Sequence, residues 1–244
     1  MPSQKRIFSL GLGVLVILGL LICAPAAWSD WDEGDPYKMH YPQRPDLVTG
    51  VDVEAIWILA DDFQCTASGP IADIHIWGSY LEDNVYDPSF KLQIWSNVPA
   101  DDPGNEVDYS HPGDLLWTWE TSTYTKRLYA TANEDFINPT DGSSLGSDTE
   151  VWQFNFYPDD PFIQEEGTIF WLSVWVGLNE GFGWKTSAEK FEDYAVFQLA
   201  PGEWLLIAGE RDMAFVITPI PPSLLLLGSG LLGLGALGLR RKRG

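Results

Sequence analysis

The chain has 244 residues, which is long enough for one β domain of about 200 residues with short appendages. All 35 acidic residues lie in residues 30–212, together with only eight of the 14 basic residues, so this stretch has a net charge of −27. That charge excludes unaided binding of nucleic acid, because attraction to phosphates needs positive charge. The 12 Trp and 12 Phe are too many for a disordered acidic chain, and two Cys are too few for a disulfide scaffold.

Residues 1–29 have the composition of a secretory signal peptide. A basic start at residues 5–6 is followed by an apolar run over residues 7–22, and the small residues Ala27 and Ser29 stand at the positions that a signal peptidase inspects. The alternatives are a retained N-terminal anchor and, with weaker support, a lipoprotein modified at Cys23. We therefore predict that the chain is exported.

The middle of the chain has the pattern of one all-β domain. Residues 30–49 are rich in Pro and Asp and are predicted to be an extended lead-in, and residues 50–218 form the domain. No run of ten or more residues has a helical period, and residues 133–137 are expected to form at most one helical turn. Short apolar or alternating runs, separated by turn residues, are predicted strands: Ala55–Leu59, Asp62–Thr66, Ile71–Trp77, Phe90–Trp95, Leu115–Glu120, Tyr124–Tyr129, Val151–Tyr157, Thr168–Val176, Phe182–Thr186, Ala195–Leu199, Trp204–Ile207 and Met213–Thr218. So many short strands predict a single β-sandwich or jelly-roll-like domain.

The alternation of side chains predicts which face of a strand is dry. In Val151–Tyr157, Phe154 and Phe156 point to one face, and Gln153 and Asn155 point to the other, which we expect to be wet. If the signal peptide is removed, Cys65 is the remaining cysteine, and we expect it to be a small buried apolar residue.

The C-terminus is predicted to be an apolar transmembrane-type helix. Residues 224–239 contain no charge, and a helix of that length spans about 24 Å, against a hydrocarbon core of about 30 Å. It would span a thin bilayer if its flanking residues sat at the interfaces. The basic tail at residues 240–243 would stay cytoplasmic, with the acidic domain outside.

This end of the chain resembles the PEP-CTERM sorting signal of exosortase-bearing bacteria. The resemblance lies in a proline motif, the run LLLLGSGLLGLG after Ser223 and the basic tail, and Ile220 stands where the commonest form of the motif has Glu. It implies delivery to the cell envelope and processing by an exosortase. The residues that carry the signal in 219–244 are Pro219, Pro221, Pro222, Arg240, Arg241, Lys242 and Arg243.

A second resemblance covers most of residues 50–218. Four segments, 59–65, 71–79, 183–187 and 212–218, are similar to an uncharacterised domain that recurs in secreted PEP-CTERM proteins. The similarity implies an exported β-sandwich, and it implies no catalytic residues.

Acidic residues at strand ends are candidate calcium ligands. Asp61, Asp62, Glu192 and Asp193 stand where backbone carbonyls would complete a shell of hard oxygen ligands. The spacing does not fit an EF-hand, and simple solvation of an acidic surface is the alternative. Calcium is accordingly the one cofactor that we consider.

Tryptophans that share a strand face are candidate ligand-binding residues. Trp171 and Trp175 share one face, and Trp117 and Trp119 share another. Exposed planar rings would stack on sugar rings, as in carbohydrate-binding modules. The alternative is that loops or a second sheet cover them, because large aromatics dominate β cores.

Nothing in the sequence has the spacing of a catalytic site. His40, His75 and His111 are far apart, and no Gly-x-Ser-x-Gly or His-Glu-x-x-His motif occurs. Adjacent acidic pairs are frequent, but a chain of this acidity produces them by chance.

We therefore expect an exported, envelope-associated β-sandwich without enzymatic activity. The first alternative is a carbohydrate-binding module, with or without calcium, and a more distant one is a glycoside-cleaving enzyme. The expected partners are a signal peptidase, an exosortase, the membrane through the C-terminal helix and an extracellular polysaccharide.

Overall fold

The computed structural model describes residues 30–177 and 181–219, and it confirms an all-β single domain. The helical element in these residues is one 3₁₀ turn, Leu81–Asp83. The strands are β1 (Val51–Glu54), β2 (Ile58–Gln64), β3 (Gly69–Pro70), β4 (Asp73–Tyr80), β5 (Phe90–Val98), β6 (His111–Thr121), β7 (Thr125–Ile137), β8 (Ser144–Phe156), β9 (Ile163–Gln164), β10 (Ile169–Trp175), β11 (Phe182–Ser187), β12 (Val196–Ala200), β13 (Glu203–Leu206), β14 (Asp212–Met213) and β15 (Phe215–Thr218).

Two sheets pack face to face around an aromatic core. One has seven strands in the order β14-β11-β1-β7-β8-β4-β15, and the other has six in the order β13-β12-β2-β10-β5-β6. Phe90 of the six-stranded sheet lies 5.3 Å from the ring of Phe154 and 5.1 Å from that of Phe182, both in the seven-stranded sheet. Edge-to-face contacts of this kind add to the stabilisation that burial of the rings provides.

Five strands of the larger sheet close into a ring. Besides pairing with β1, strand β11 pairs with β4, so β11, β1, β7, β8 and β4 are each hydrogen-bonded to two neighbours in the ring. Two glycines permit this closure. A Cβ on Gly78 would lie 2.4 Å from the Gly183 carbonyl oxygen, and a Cβ on Gly183 would lie 2.8 Å from Asp52 Cβ. A larger residue would clash at Gly78, where β4 approaches β11, and at Gly183, where β11 approaches β1.

The predicted lead-in is an integral part of this domain. Trp31 is almost fully buried and packs edge-to-face on Trp77, 5.8 Å away. Its backbone carbonyl accepts hydrogen bonds from Gln153 Nε2 at 2.7 Å and from Arg127 Nη2 at 2.8 Å. Residues 30–49 therefore cover the face of β8 that the alternation of side chains led us to expect in solvent, and Gln153 and Asn155 are both buried there.

Two local predictions are wrong. Residues 133–137, expected to be at most a helical turn, are the end of β7, where pairing with β8 and with β1 overrides a weak local preference. The run 55–59, predicted as a strand, instead contains the turn between β1 and β2. Pairing partners that are distant in sequence decide both outcomes.

In residues 30–177 and 181–219, no helix is long and apolar enough to cross a membrane. The predicted signal peptide (1–29) and apolar helix (224–239) lie outside the residues that the structure describes, as does the sorting motif after Pro219. Cys65 is buried and free, as the sequence predicts.

Candidate functional site

Five polar side chains, one from each strand of the ring, meet in its interior. They are Asp52 of β1, Ser79 of β4, Glu134 of β7, Asp148 of β8 and Lys185 of β11, and we call them the ring cluster. Asp52 is paired in register with Lys185, and Glu134 with Asp148. Directly paired residues point to the same side of a sheet, and all five are buried, so they lie inside the ring.

The geometry of the ring cluster is that of one ammonium among three carboxylates. Lys185 Nζ lies 2.5 Å from Glu134 Oε2 and 3.6 Å from Asp52 Oδ2, and the Lys185 side chain is fully buried. One oxygen from each carboxylate can be chosen so that all three lie within 4.8 Å of one another. One positive charge therefore faces three acids at close range.

Burial makes the ionised forms of these acids costly. It raises the pKa of Asp52 well above its ordinary value, and the attraction of Lys185 offsets only part of that rise. Burial and the neighbouring Glu134 raise the pKa of Asp148 to about 7. The Lys185 charge and the Ser79 hydroxyl act in the opposite direction on Asp148, and Asp83 adds to the rise.

The four predicted calcium ligands are brought near one another at a second place. Asp62 is almost fully buried in β2, and the charges of Asp193, Asp212 and Glu192 all act on it. Asp61, its neighbour in the strand, accepts hydrogen bonds from Gln43 Nε2 at 2.8 Å and from the Met213 amide at 2.7 Å. We call Asp61, Asp62, Glu192, Asp193 and Asp212 the β2 carboxylates.

Burial favours the protonated forms of Asp61, Asp62 and Asp212, the three enclosed β2 carboxylates. Burial, followed by Asp193 and Asp212, raises the pKa of Asp62 to about 9. Burial also raises the pKa of Asp212 to about 6, and it raises that of Asp61 well above its usual range. Asp61 and Asp212 each accept backbone hydrogen bonds, which fix their positions.

The candidate tryptophans have different environments. Trp171 is completely buried in a second small core with Ala60, Val196 and Trp204, so it offers no ring face to a ligand. Trp117 and Trp119 are half-buried, contact each other at 6.4 Å and pack against the main core. For these three side chains, the structure therefore agrees with the alternative to ligand binding, in which the tryptophan rings pack into hydrophobic cores.

Trp175 is the candidate tryptophan that borders an open pocket. With Trp57, Lys91 and Gln198 it lines a shallow pocket of about 280 Å³ on the outer face of the six-stranded sheet. Trp175 is paired with Lys91, and Gln198 with Ile58, so neighbouring strands bring these side chains to one face. The indole nitrogen of Trp175 donates to the Ile56 carbonyl, which fixes the orientation of the ring.

Histidine and cysteine are held in structural roles. His75 is buried, with Nδ1 2.7 Å from Asn155 Oδ1 and Nε2 3.6 Å from Asp73 Oδ1. Burial raises the pKa of the Cys65 thiol to about 12, so the thiolate is not formed at neutral pH. Neither arrangement activates a nucleophile.

A family model describes most of this chain. The model, Domain of unknown function (DUF7901), matches residues 39–218, which include the ring cluster and the β2 carboxylates. The chain belongs to the DUF7901 family. No curated protein and no solved structure matches the chain. The DUF7901 match begins at Met39, inside the segment predicted as a lead-in, in agreement with the burial of Met39 in the core.

Sequence reasoning missed the ring cluster of this DUF7901 domain. Its members are separated by as many as 133 residues, from Asp52 to Lys185, and no local spacing joins them. The available signal was a charged residue next to large apolar ones, as in Val51-Asp52-Val53 and Trp184-Lys185. It also missed Asp212, which opens β14 directly opposite Ser187.

We predict that Asp62 makes the DUF7901 domain less stable as the pH rises. An acid whose pKa is raised in the folded state holds more protons folded than unfolded, so stability falls between about pH 4 and pH 9. Asp62→Asn removes this titration, and its urea-unfolding free energy, measured with EDTA present, should fall less steeply, by up to about 1.4 kcal/mol per pH unit. Asp101→Asn, in an exposed turn, is the control. Parallel pH profiles for wild type and Asp62→Asn would contradict this assignment.

Proposed function

We propose that this protein is an exported, envelope-associated protein whose DUF7901 domain is a non-catalytic β-sandwich. The observation that carries the proposal is the enclosure of its reactive side chains. In the described residues, the ring cluster is buried, three of the five β2 carboxylates (Asp61, Asp62 and Asp212) are buried, and His75 and the Cys65 thiol are enclosed as well. Catalytic groups need access to a substrate, and these groups are tied into the fold instead.

Enclosure also disfavours the glycoside-cleaving alternative. Such enzymes place two carboxyl groups on either side of a bound sugar, with space for the substrate between them. In the ring cluster, Lys185 lies among the three carboxylates. Among the β2 carboxylates, Asp61 and Asp212 are fully buried and are bound by backbone amides.

Export rests on the two ends of the chain. The N-terminal segment has the order of a signal peptide, and the C-terminal segment resembles the sorting signal of exosortase substrates. The acidic domain would lie outside the inner membrane, and the basic tail would remain in the cytoplasm until processing. A signal peptidase and an exosortase are the partners that this route requires.

The test of export is the mass and the cell fraction of the mature protein in its own host. We expect a product that lacks residues 1–29 and the segment after about Pro222, recovered outside the inner membrane. A matched variant with Ala at positions 240–243 should keep its C-terminal segment, because the basic tail orients that segment. Recovery of the full-length chain from the cytoplasm would contradict the proposal.

We propose saccharide binding at the Trp57–Trp175 pocket as a second function. The specific support is an open pocket that combines two indole rings with the polar side chains Lys91 and Gln198. Apolar walls with a few placed polar groups are typical of sites for small ligands. The strongly negative domain would repel anionic glycans, so neutral sugars are the expected class.

We predict that neutral cello-, xylo- or malto-oligosaccharides quench tryptophan fluorescence through this pocket. Trp175→Ala should weaken binding about tenfold or more, equivalent to roughly 1.4 kcal/mol, because a stacking face is lost. Trp117→Ala is the matched control, since Trp117 does not line the pocket. Equal affinity in wild type and Trp175→Ala, or no binding by either in calorimetry, would contradict a saccharide site here.

A further inference from the structure

The charges of the ring cluster do not balance. Asp52, Glu134 and Asp148 supply three acidic groups, and Lys185 is the one basic group in contact with them among the described residues. If all are ionised, the cluster has a net charge of −2. Buried charge without compensation is unfavourable, so the cluster favours a ligand with two positive charges.

Unsatisfied oxygens show where such a ligand would bind. Both carboxylate oxygens of Asp52 and both of Asp148 are buried, and in the described residues none of them has a hydrogen bond of regular geometry, although Glu134 and Lys185 lie close to Asp52. The Ser79 hydroxyl is also fully buried, and it lies beside Asp148 at a geometry looser than a regular hydrogen bond. Buried polar atoms normally find partners, so these oxygens indicate an additional group inside the ring.

The spacing of the oxygens fits a calcium-sized ion. Two oxygens bound to one Ca²⁺ at 2.3–2.6 Å lie at most about 5 Å apart, and Ca²⁺ accepts irregular oxygen shells more readily than Mg²⁺, which demands a near-octahedral one. The three carboxylates of the ring cluster offer oxygens within 4.8 Å of one another. Carboxylate and hydroxyl oxygens are the hard ligands that such an ion prefers.

We propose that the ring cluster binds one calcium-sized divalent cation through Asp52, Glu134 and Asp148. Ser79 supplies a neutral oxygen, and Lys185 supplies the remaining positive charge that neutralises the three carboxylates. The cation links three strands, β1, β7 and β8, and it therefore stabilises the closed ring. This site is separate from the β2 carboxylates, and it does not depend on export or on saccharide binding.

The test is thermal unfolding of the full chain in detergent, after treatment with EDTA and its removal. CaCl₂ at about 100-fold its dissociation constant should raise the Tm of the wild type by roughly 5–10 °C, and MgCl₂ should raise it less. Calorimetry should give one calcium ion per chain. No Tm shift and no heat of binding with CaCl₂ would overturn the proposal.

Two variants distinguish the two acidic clusters. Asp148→Asn should lose the calcium-dependent Tm shift, and Asp62→Asn, which changes a buried acid of the other cluster, should keep it. Ser79→Ala leaves every charge in place and should weaken calcium binding by roughly threefold to tenfold, so it serves as the test if Asp148→Asn does not fold. A shift that survives Asp148→Asn or Ser79→Ala unchanged, or one that is lost in Asp62→Asn, would overturn the assignment to the ring.

Discussion

The burial of Lys185 is the interaction on which the rest of this structure depends. The side chain is fully enclosed, and its ammonium contacts Glu134 and lies close to Asp52. Removal of such a charge from water costs several kcal/mol, and the attraction to nearby carboxylates offsets that cost only when the geometry is fixed. The closed ring of strands provides this geometry, because its five strands present one polar residue each to a common interior.

Ring closure also separates the apolar and charged side chains onto different faces of the seven-stranded sheet. The inner face of the seven-stranded sheet packs against the other sheet through rings such as Phe154 and Phe182, while the charged groups stay on the opposite side. The outer face of the six-stranded sheet carries a second small core around Trp171, next to the open pocket at Trp175. The enclosed charges are consistent with a structural or cation-binding role, and the exposed pocket is where a ligand would reach the domain.

The sequence predicts the parts of this fold that are encoded locally. The alternation in Val151–Tyr157 identifies Phe154 and Phe156 as core residues, because a strand side chain has only two faces to choose from. The predicted strand-end position of Asp62 is wrong, because Asp62 lies inside β2 and only the folded chain brings it near Asp193 in the loop before β12. Alternation does not show what covers the second face of the strand Val151–Tyr157, so it predicts that Gln153 is exposed to solvent. In the structure, residues 30–31 cover that face.

The parts that could not be predicted depend on long-range pairing. The parallel pair of β1 and β7 joins Asp52 to the end of a strand more than eighty residues away, and the β4–β11 pair closes the ring. Neither pairing has a signature in the residues next to it. The small residues that permit closure, Gly78 and Gly183, look like ordinary strand glycines in the sequence. Gly78 is explained by its approach to the backbone of β11, and Gly183 by the side chains of Phe136 and Asp52 beside it.

A double-mutant cycle between Lys185 and Asp52 tests the central claim most directly. Lys185→Met should lower the free energy of unfolding in urea by about 3–5 kcal/mol, because it leaves buried carboxylates without their counter-charge. Adding Asp52→Asn should restore at least about 1 kcal/mol of that loss, while Lys91→Met, which breaks an exposed ion pair, should cost less than about 1 kcal/mol. Additive losses from Lys185→Met and Asp52→Asn, within about 0.5 kcal/mol, would contradict the account.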